Sequence, residues 1–265
     1  MSRPPGDARG SARPRWAGPL ESLALLTVMP VPARAAAGTR GVLPWAPLVG
    51  LLLGGVATGI AVAGTRLVSP LTGAVLAVAV LAALTRGLHL DGLADTADGL
   101  GPLRGRERAL AVMHQGDVGP FGVVTLVLTV LLQVAAAAAL LATDSGWAAL
   151  WTAVLAARLA MTRTGLPGLP AAEGSALGRS VTGTVSSRWW IALLLASAAA
   201  VGALAAGDRV LAGALAGSAL AGLGAAELLL RRARARLGGV TGDVMGAMAE
   251  VTAAVTLLVA AAVVP

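Results

Sequence analysis

Long apolar stretches recur along this chain and are separated by short polar segments. Seven of them approach the roughly 20 residues that a helix needs to cross a bilayer; they cover residues 44–64, 67–85, 119–142, 146–165, 189–206, 210–230 and 245–264. A further apolar run, Leu23 to Met29, is followed by Pro30 and is too short to cross. The pattern predicts an all-α, polytopic membrane helix bundle with about seven transmembrane helices and a short N-terminal interfacial or re-entrant helix.

The chain begins differently from the way it continues. Residues 1–18 are rich in Pro, Gly and Arg, which predicts a flexible N-terminal tail. The apolar stretches then run almost to the last residue. Residues 19–265 are therefore predicted to form a single transmembrane catalytic domain.

Composition excludes several classes of protein. Hydrophobic residues make up 57% of the chain and charged residues 12%, against about 25% charged residues in soluble domains. No cysteine is present, so disulfides, thiolate metal sites and thiol nucleophiles are excluded. The net charge of +7 comes with only 3% aromatic residues and with Arg dispersed among apolar runs. This pattern favours anchoring to an anionic lipid bilayer, with no nucleic acid as partner.

The distribution of Arg predicts how the chain crosses the membrane. If each predicted span reverses the side, one side carries 17 Arg, the other carries only Arg66 and Arg209, and Arg158 lies within a span. Because cytoplasmic loops are enriched in basic residues, the N-terminus is predicted to be cytoplasmic and the protein to reside in the cell (plasma) membrane. Three polar segments then share the cytoplasmic side, where chemistry is expected: 86–118, 166–188 and 231–243.

Three carboxylates of the first polar segment share one face of a predicted helix. Asp91, Asp95 and Asp98 are spaced i, i+4, i+7, and like charges at such spacing destabilise a helix by about 0.2–0.5 kcal/mol per pair. A bound cation would relieve this repulsion, and Mg2+, which takes carboxylate oxygens, waters and substrate phosphates, fits the site. The alternative is a solvated loop whose Asp residues cap helix ends near Gly92 and Gly99.

Other side chains of the same segment are candidates for contacts with a substrate. His89 is predicted to be a general base or a metal ligand, or otherwise a hydrogen-bonded residue at the membrane boundary. Arg104, Arg106 and Arg108 are candidates for binding phosphate oxygens, although positive-inside anchoring explains them equally well. Asp117 precedes the third predicted span, where it is either catalytic or a helix cap.

A second polar group lies where the last predicted span begins. Asp243 and Glu250 are spaced i, i+7 on one face of it, and a carboxylate as deep as Glu250 is costly unless it faces a polar site or partner. Both are candidate metal ligands, with pairing to Arg158 as the alternative for Glu250. Thr241 and Gly242 are candidates for binding phosphate at the helix N-terminus, with a plain N-cap as the alternative for Thr241.

Three strings of residues resemble one enzyme family. They are His89-Leu-Asp-Gly-Leu-Ala-Asp-Thr-Ala-Asp-Gly99, the stretch Met113–Gly122, and Leu237–Asp243 with Glu250. In sequence and order they resemble the cobalamin synthase family, whose members are adenosylcobinamide-GDP ribazoletransferases. The resemblance implies a magnesium-dependent late step of cobalamin biosynthesis. That step joins adenosylcobinamide-GDP to alpha-ribazole or its 5'-phosphate and releases GMP.

The resemblance also implies roles for the candidate residues. Asp91, Asp95 and Asp98 would hold Mg2+, Asp243 and Glu250 would complete the site, and His89 or one of the Asp residues would be the base. One position departs from the family, because relatives often carry Lys or Arg where this chain has His114. An essential cation there would have to come from another residue, and the three candidates are Arg104, Arg106 and Arg108.

Two other functions are left open by the residues alone. A secondary transporter would use intramembrane carboxylates to couple ions to a substrate, but such sites tend to lie at the membrane midplane between internal repeats. A phosphotransferase acting on a lipid alcohol would also use Asp-rich helices at the membrane surface. Neither a Walker-type phosphate loop nor a His-Glu-x-x-His pair is present, so a nucleotide-driven pump and a zinc hydrolase are not expected. An oligomer is left open.

Overall fold

The computed structural model describes residues 17–33 and 38–264. In these ranges the chain forms helices and no strand, which confirms the predicted all-α bundle. The helices are α1 (Ala17–Leu26), α2 (Val42–Leu67), α3 (Pro70–Leu84), α4 (Leu88–Leu100), α5 (Arg106–Met113), α6 (Pro120–Leu141), α7 (Gly146–Arg163), α8 (Ala176–Val181), α9 (Ser187–Leu204), α10 (Arg209–Leu237) and α11 (Gly242–Val263). The predicted tail lies outside the described residues, except that Ala17 and Gly18 already belong to α1.

A helix occurs at each of the seven predicted spans, but not all of these helices have the length and apolarity of a membrane crossing. Five do: α2, α6, α9, α10 and α11. The short helix α3 qualifies only together with α4, from which it is bent by 88°, so the described chain holds five such crossings, or six with the bent pair. By length and apolarity alone, six of the seven predicted spans are therefore accounted for when the bent pair is counted as one, and α7 is the helix that falls short.

The exception, α7, is the central helix of the bundle. Of its 18 residues 15 are buried, and it packs on α2, α10 and α11. A helix surrounded by other helices does not need an apolar surface, which explains how α7 carries Thr162 and Arg158. The outer helices show the opposite: only 22% of the apolar stretch of α6 and 11% of that of α9 are buried. Apolar faces left exposed in this way are typical of contact with lipid.

The contact between α2 and α7 depends on residues that bring the two backbones close. Gly50 of α2 faces Arg158, where a Cβ would lie 3.1 Å from the Arg158 Cβ. Pro47 has no N–H to offer the Leu43 carbonyl one turn earlier, and the Thr162 hydroxyl of α7 donates to that carbonyl at 2.9 Å. The polar group freed by the proline is thus satisfied by the neighbouring helix, as a bilayer requires.

A sharp bend directs α4 across the end of the bundle. Arg86 and Gly87 both adopt positive φ angles, 57° and 67°, a conformation that costs a non-glycine residue about 1–2 kcal/mol. The Arg86 guanidinium donates to the Leu25 carbonyl at 2.9 Å, which holds the bend against α1. Of these two helices, α3 therefore follows the bundle axis, whereas α4, which carries the three aspartates, lies across the end of the bundle.

The three predicted polar segments meet at this same end. Residues 86–118 contain α4 and α5 instead of an open loop. The segment after α7 joins the link before α11, since the Ala172 N–H donates to the Val240 carbonyl and the Val240 N–H donates to the Pro170 carbonyl, both at 3.0 Å. These contacts confirm that the segments gather on one side of the bundle.

Candidate active site at the crossing of α4 and α11

Two glycines set the distance between α4 and α11. A Cβ on Gly92 would lie 2.8 Å from the Asp243 Cα, and a Cβ on Gly246 would lie 3.1 Å from the His89 Cα. The helices therefore meet backbone to backbone, as small residues permit in membrane bundles. This crossing brings Asp243 within electrostatic range of Asp91 and Asp95.

Burial and neighbouring negative charges both act on Asp95 at the crossing. The pKa of Asp95 is raised from 3.8 to about 6, first by burial and then by the negative charges of Asp91, Asp243 and Asp98. His114 is the group that opposes this rise. A carboxylate whose charged form is disfavoured by like charges is stabilised when a cation binds between them. Asp91, Asp95 and Asp243 are thus the described residues with the chemistry to bind one.

The side chains at the crossing do not by themselves enclose a metal ion. Among residues 17–33 and 38–264, no three Asp, Glu or His side chains converge closely enough to hold a metal together. Magnesium does not require such a cage, because it usually keeps several waters and takes one or two carboxylates together with substrate phosphates. The oxygen-rich donor set therefore fits Mg2+ in the presence of a phosphate-bearing substrate.

His114 is a site residue that the residue-by-residue argument left out. It caps the C-terminus of α5, is exposed, and reaches the charges of both Asp95 and Asp243. The sequence did contain a signal for His114, because the family resemblance implies a Lys or Arg at this position. The structure places an imidazole next to the aspartates at that position.

A cavity of about 390 Å³ opens beside Asp243. Its polar lining residues are Asp243, His114, His89, Thr241 and Ser175. The rest of its lining is mainly apolar and comes largely from α1, α2, α7 and α8, with Leu26, Leu43, Met161 and Val181 among the lining residues. The cavity can therefore hold a molecule that joins a charged part to a flat or bulky apolar part.

Thr241 fulfils the plainer of its two predicted roles and also lines the cavity. Its hydroxyl accepts the Val244 N–H at 3.1 Å, so it is the N-cap of α11. The capped helix start contributes Thr241, Gly242 and Asp243 to the lining of the cavity. Phosphate binding by Thr241 stays a prediction.

Asp98 has a different environment from the other two aspartates of α4. Its two carboxylate oxygens accept the N–H groups of Gly119 and Gly122 at 2.8 and 3.0 Å, and the side chain is buried. These N–H groups belong to the start of α6. N–H groups at the start of a helix have no acceptor within that helix. Asp98 therefore caps the start of α6, not a helix end near Gly92 or Gly99 as the capping alternative had it, and each of its carboxylate oxygens already accepts one hydrogen bond.

Glu250, which was predicted to complete the metal site, interacts with groups other than the aspartates. Its Oε2 accepts the Gln133 Nε2–H at 2.8 Å, and its charge interacts with buried Arg158 and not with the aspartates. These residues and His89 line a separate cavity of about 40 Å³ inside the bundle. The alternative of an Arg158 partner is the one that the structure supports, because two turns of α11 carry Glu250 deeper into the bundle than Asp243.

The predicted base His89 lies between the two cavities. It is 1% exposed, its Nε2 has no hydrogen-bond partner, and it lines both the larger and the smaller cavity. It is thus placed at the floor of the candidate site and has little access to a substrate. Its role as a base stays a prediction.

The three predicted phosphate-binding Arg residues and Asp117 do not line the large cavity. Arg106 packs against Gly238, Arg108 is exposed on α5, and Arg104 shares a different cavity of about 170 Å³ with Asp117. Phosphate binding by the three Arg residues and a catalytic role for Asp117 stay predictions. In this arrangement none of them contacts the carboxylates at the crossing.

The sequence as a whole matches one protein family. Residues 18–261 match the family model described as cobalamin-5-phosphate synthase. Three relatives carry the name adenosylcobinamide-GDP ribazoletransferase. The protein from Frankia casuarinae is 42% identical over 91% of this chain and 93% of its own length. Those from Nocardioides sp. (38%, covering 94% and 99%) and Pseudomonas aeruginosa (40%, covering 88% and 90%) are similar over nearly the same range.

No solved structure is significantly similar to this chain. The family model nevertheless spans every described helix from α2 to α10 and most of α1 and α11. It includes the α4–α11 crossing and the cavity beside it. The chain therefore belongs to the cobalamin-5-phosphate synthase family.

Proposed function

We propose that this chain is an adenosylcobinamide-GDP ribazoletransferase of cobalamin biosynthesis. It would join adenosylcobinamide-GDP to alpha-ribazole, or to its 5'-phosphate, and release GMP. The observation that carries the proposal is the crossing of Asp91, Asp95 and Asp243 beside a cavity that Asp243 lines and whose other walls are mainly apolar. The names of the relatives supply the substrates.

The reaction replaces a phosphoanhydride bond with a phosphate ester bond. A ribose hydroxyl of the ribazole attacks the phosphorus on the corrinoid side of the pyrophosphate, a P–O bond forms, and the bond to the GMP oxygen breaks. The hydroxyl proton must leave to a base. The chain's task is to align the two substrates and to stabilise negative charge that develops on the phosphate oxygens.

We assign the Mg2+ site to Asp91, Asp95 and Asp243. When bound, the ion would neutralise the pyrophosphate and stabilise the leaving phosphate. Asp98 and Glu250 are left out of this set, because Asp98 caps α6 and Glu250 pairs with Gln133. The exposed imidazole of His114, which lines the cavity, would donate to a phosphate oxygen of the substrate.

The apolar walls of the cavity would receive the aromatic base of the ribazole. Leu26 of α1, Leu43 of α2 and Met161 of α7 are among the residues that form these walls. Burying an aromatic ring there removes apolar surface from water and positions the attached ribose near Asp243.

Incubation of the purified protein with adenosylcobinamide-GDP, alpha-ribazole phosphate and Mg2+ tests this function. GMP and the 5'-phosphate of adenosylcobalamin are the expected products, identified by mass. Asp95→Asn is expected to abolish their formation while the protein still inserts normally, and Asp144→Asn, which alters an exposed acid in the α6–α7 turn, is the matched control. Full turnover by Asp95→Asn would refute the site. Accumulation of labelled corrinoid in liposomes without GMP release would point to transport instead.

We also propose that the active-site end faces the cytoplasm. Support comes from the 17 to 2 division of Arg between the two predicted sides. Because the chain has no cysteine, single cysteines at Gln115 and at Asp144 report the orientation directly. In intact cells a membrane-impermeant maleimide is expected to label only the cysteine at position 144, and labelling of position 115 instead would reverse the assignment.

A further inference from the structure

A groove opens on the side of the bundle between α6 and α10. Both helices pack on α11 and are not packed closely against each other. The gap between them forms a cavity of about 270 Å³, with α4 and α11 as its floor. Its walls are mainly apolar and include Leu100, Phe121, Leu229 and Val251. The two flanking helices are among those with the least buried apolar surface, 22% and 28% of their apolar stretches, so the groove faces the lipid.

Two polar side chains mark this groove. Arg232 stands at its rim and donates one 3.4 Å hydrogen bond from its Nη2 to the Leu100 carbonyl, so among the described residues most of its N–H groups have no acceptor. Thr96 lies in the floor, is 2% exposed, and its hydroxyl has no hydrogen-bond partner. No carboxylate is among the described residues that line the groove. The one charged side chain among the described residues that line the groove is therefore Arg232, and no carboxylate there neutralises it.

The neighbouring Arg side chains on α10 have other partners or point elsewhere. Arg236 donates to the carbonyls of Pro102 and Arg104 at 3.0 Å, and Arg231 pairs with Glu227 at 3.1 Å. Arg234 is exposed and does not line the groove. Arg232 is thus the basic side chain placed where a phosphate would lie if an apolar chain occupied the groove.

We propose that this groove binds one anionic phospholipid. Its phosphate lies against Arg232 and one acyl chain lies in the groove between α6 and α10. A basic residue next to a membrane helix attracts anionic headgroups. An acyl chain in the groove packs against its apolar walls and fills the gap that the protein leaves between α6 and α10. The bound lipid contacts Thr96 and Leu100 of α4, so it supports the helix that carries Asp91 and Asp95.

The test counts lipids on the full-length protein in detergent by native mass spectrometry. Phosphatidylglycerol and phosphatidylcholine with the same acyl chains are offered in equal amounts. One phosphatidylglycerol is expected to stay bound in preference to phosphatidylcholine. Arg232→Gln is expected to lower its retention about fivefold, the loss of one basic residue at an anionic surface, and Arg234→Gln on the same helix is expected to leave it unchanged.

A second pair of variants tests the acyl position without changing charge. Thr125→Trp places a bulky ring in the groove and is expected to displace the lipid, whereas Leu128→Trp, on the lipid-exposed face of the same helix, is the control that retains it. Equal losses for Arg232→Gln and Arg234→Gln would overturn the proposal in favour of diffuse attraction. Undisturbed lipid in Thr125→Trp, or a second protein copy bound in place of the lipid, would overturn it as well.

Discussion

The close approach at Gly92 offers a direct test of the active-site geometry. The Cβ of Gly92→Ala would lie 2.7 Å from the Asp243 carbonyl oxygen and 2.8 Å from its Cα, where ordinary contacts begin at 3.4 Å. Both neighbours are backbone atoms, so neither can rotate away. The two helices must therefore separate by roughly half an ångström or more. Overpacking of this kind costs about 1–3 kcal/mol of stability.

The separation moves Asp243 relative to Asp91 and Asp95, and this movement is what the assay detects. A misplacement of about 1 Å lowers a rate by about 100-fold, so Gly92→Ala is expected to reduce GMP release at saturating Mg2+ by about 10- to 100-fold. The measurement is the initial rate of GMP formation by purified protein, with the melting temperature and the elution volume recorded alongside.

Gly59→Ala is the matched control for this variant. Gly59 lies within α2, and no atom lies within 4 Å of where its Cβ would be. The same chemical change there is expected to leave the rate unchanged and to stabilise the helix slightly, because alanine favours helix more than glycine does. A wild-type rate in folded Gly92→Ala protein would refute the view that the α4–α11 distance positions the carboxylates.

Three further predictions follow from the site. Because the pKa of Asp95 is raised to about 6, protons compete with Mg2+ for its carboxylate below that pH. Isothermal titration calorimetry is expected to show an Mg2+ affinity that is constant above pH 7 and about tenfold lower at pH 5. An Mg2+ affinity that does not change with pH would contradict this. Asp98→Ala leaves two N–H groups at the start of α6 unsatisfied, so unfolding in denaturant is expected to show a loss of about 1–3 kcal/mol, whereas a neutral effect would argue against the cap. Glu250→Gln is expected to leave the Mg2+ affinity unchanged while altering stability, and a large loss of affinity would return Glu250 to the metal site.

Much of the fold could be predicted from hydropathy, because a bilayer forces every backbone polar group into local hydrogen bonds. Helices appear at all seven apolar stretches and at the short run before them. The count of crossings was less predictable. Hydropathy cannot tell a helix wrapped in lipid from one wrapped in protein, and α7, with Arg158 and Thr162 in its buried surface, belongs to the second kind.

The candidate site shows where sequence spacing stops being informative. Spacing correctly puts Asp91 and Asp95 on one helix near a partner from the last span, and the structure supplies that partner as Asp243. Spacing also groups Asp98 and Glu250 with them. Those two carboxylates are held by other helices, Asp98 by the start of α6 and Glu250 by Gln133. A helical face predicts which side chains point together, but not which neighbour satisfies each one.

The sequence by itself determined that the protein is a helical membrane protein, that α4 carries an acidic motif, and to which family the chain belongs. It did so because apolar length and a long motif are properties of consecutive residues. Only the tertiary structure decided which charges share the site. The bend at Arg86 and Gly87 turns α4 across the bundle, and the bare backbones at Gly92 and Gly246 let α11 approach it. These contacts bring Asp243 within range of Asp91 and Asp95, and consecutive residues cannot reveal them because they depend on how close two distant helices can come.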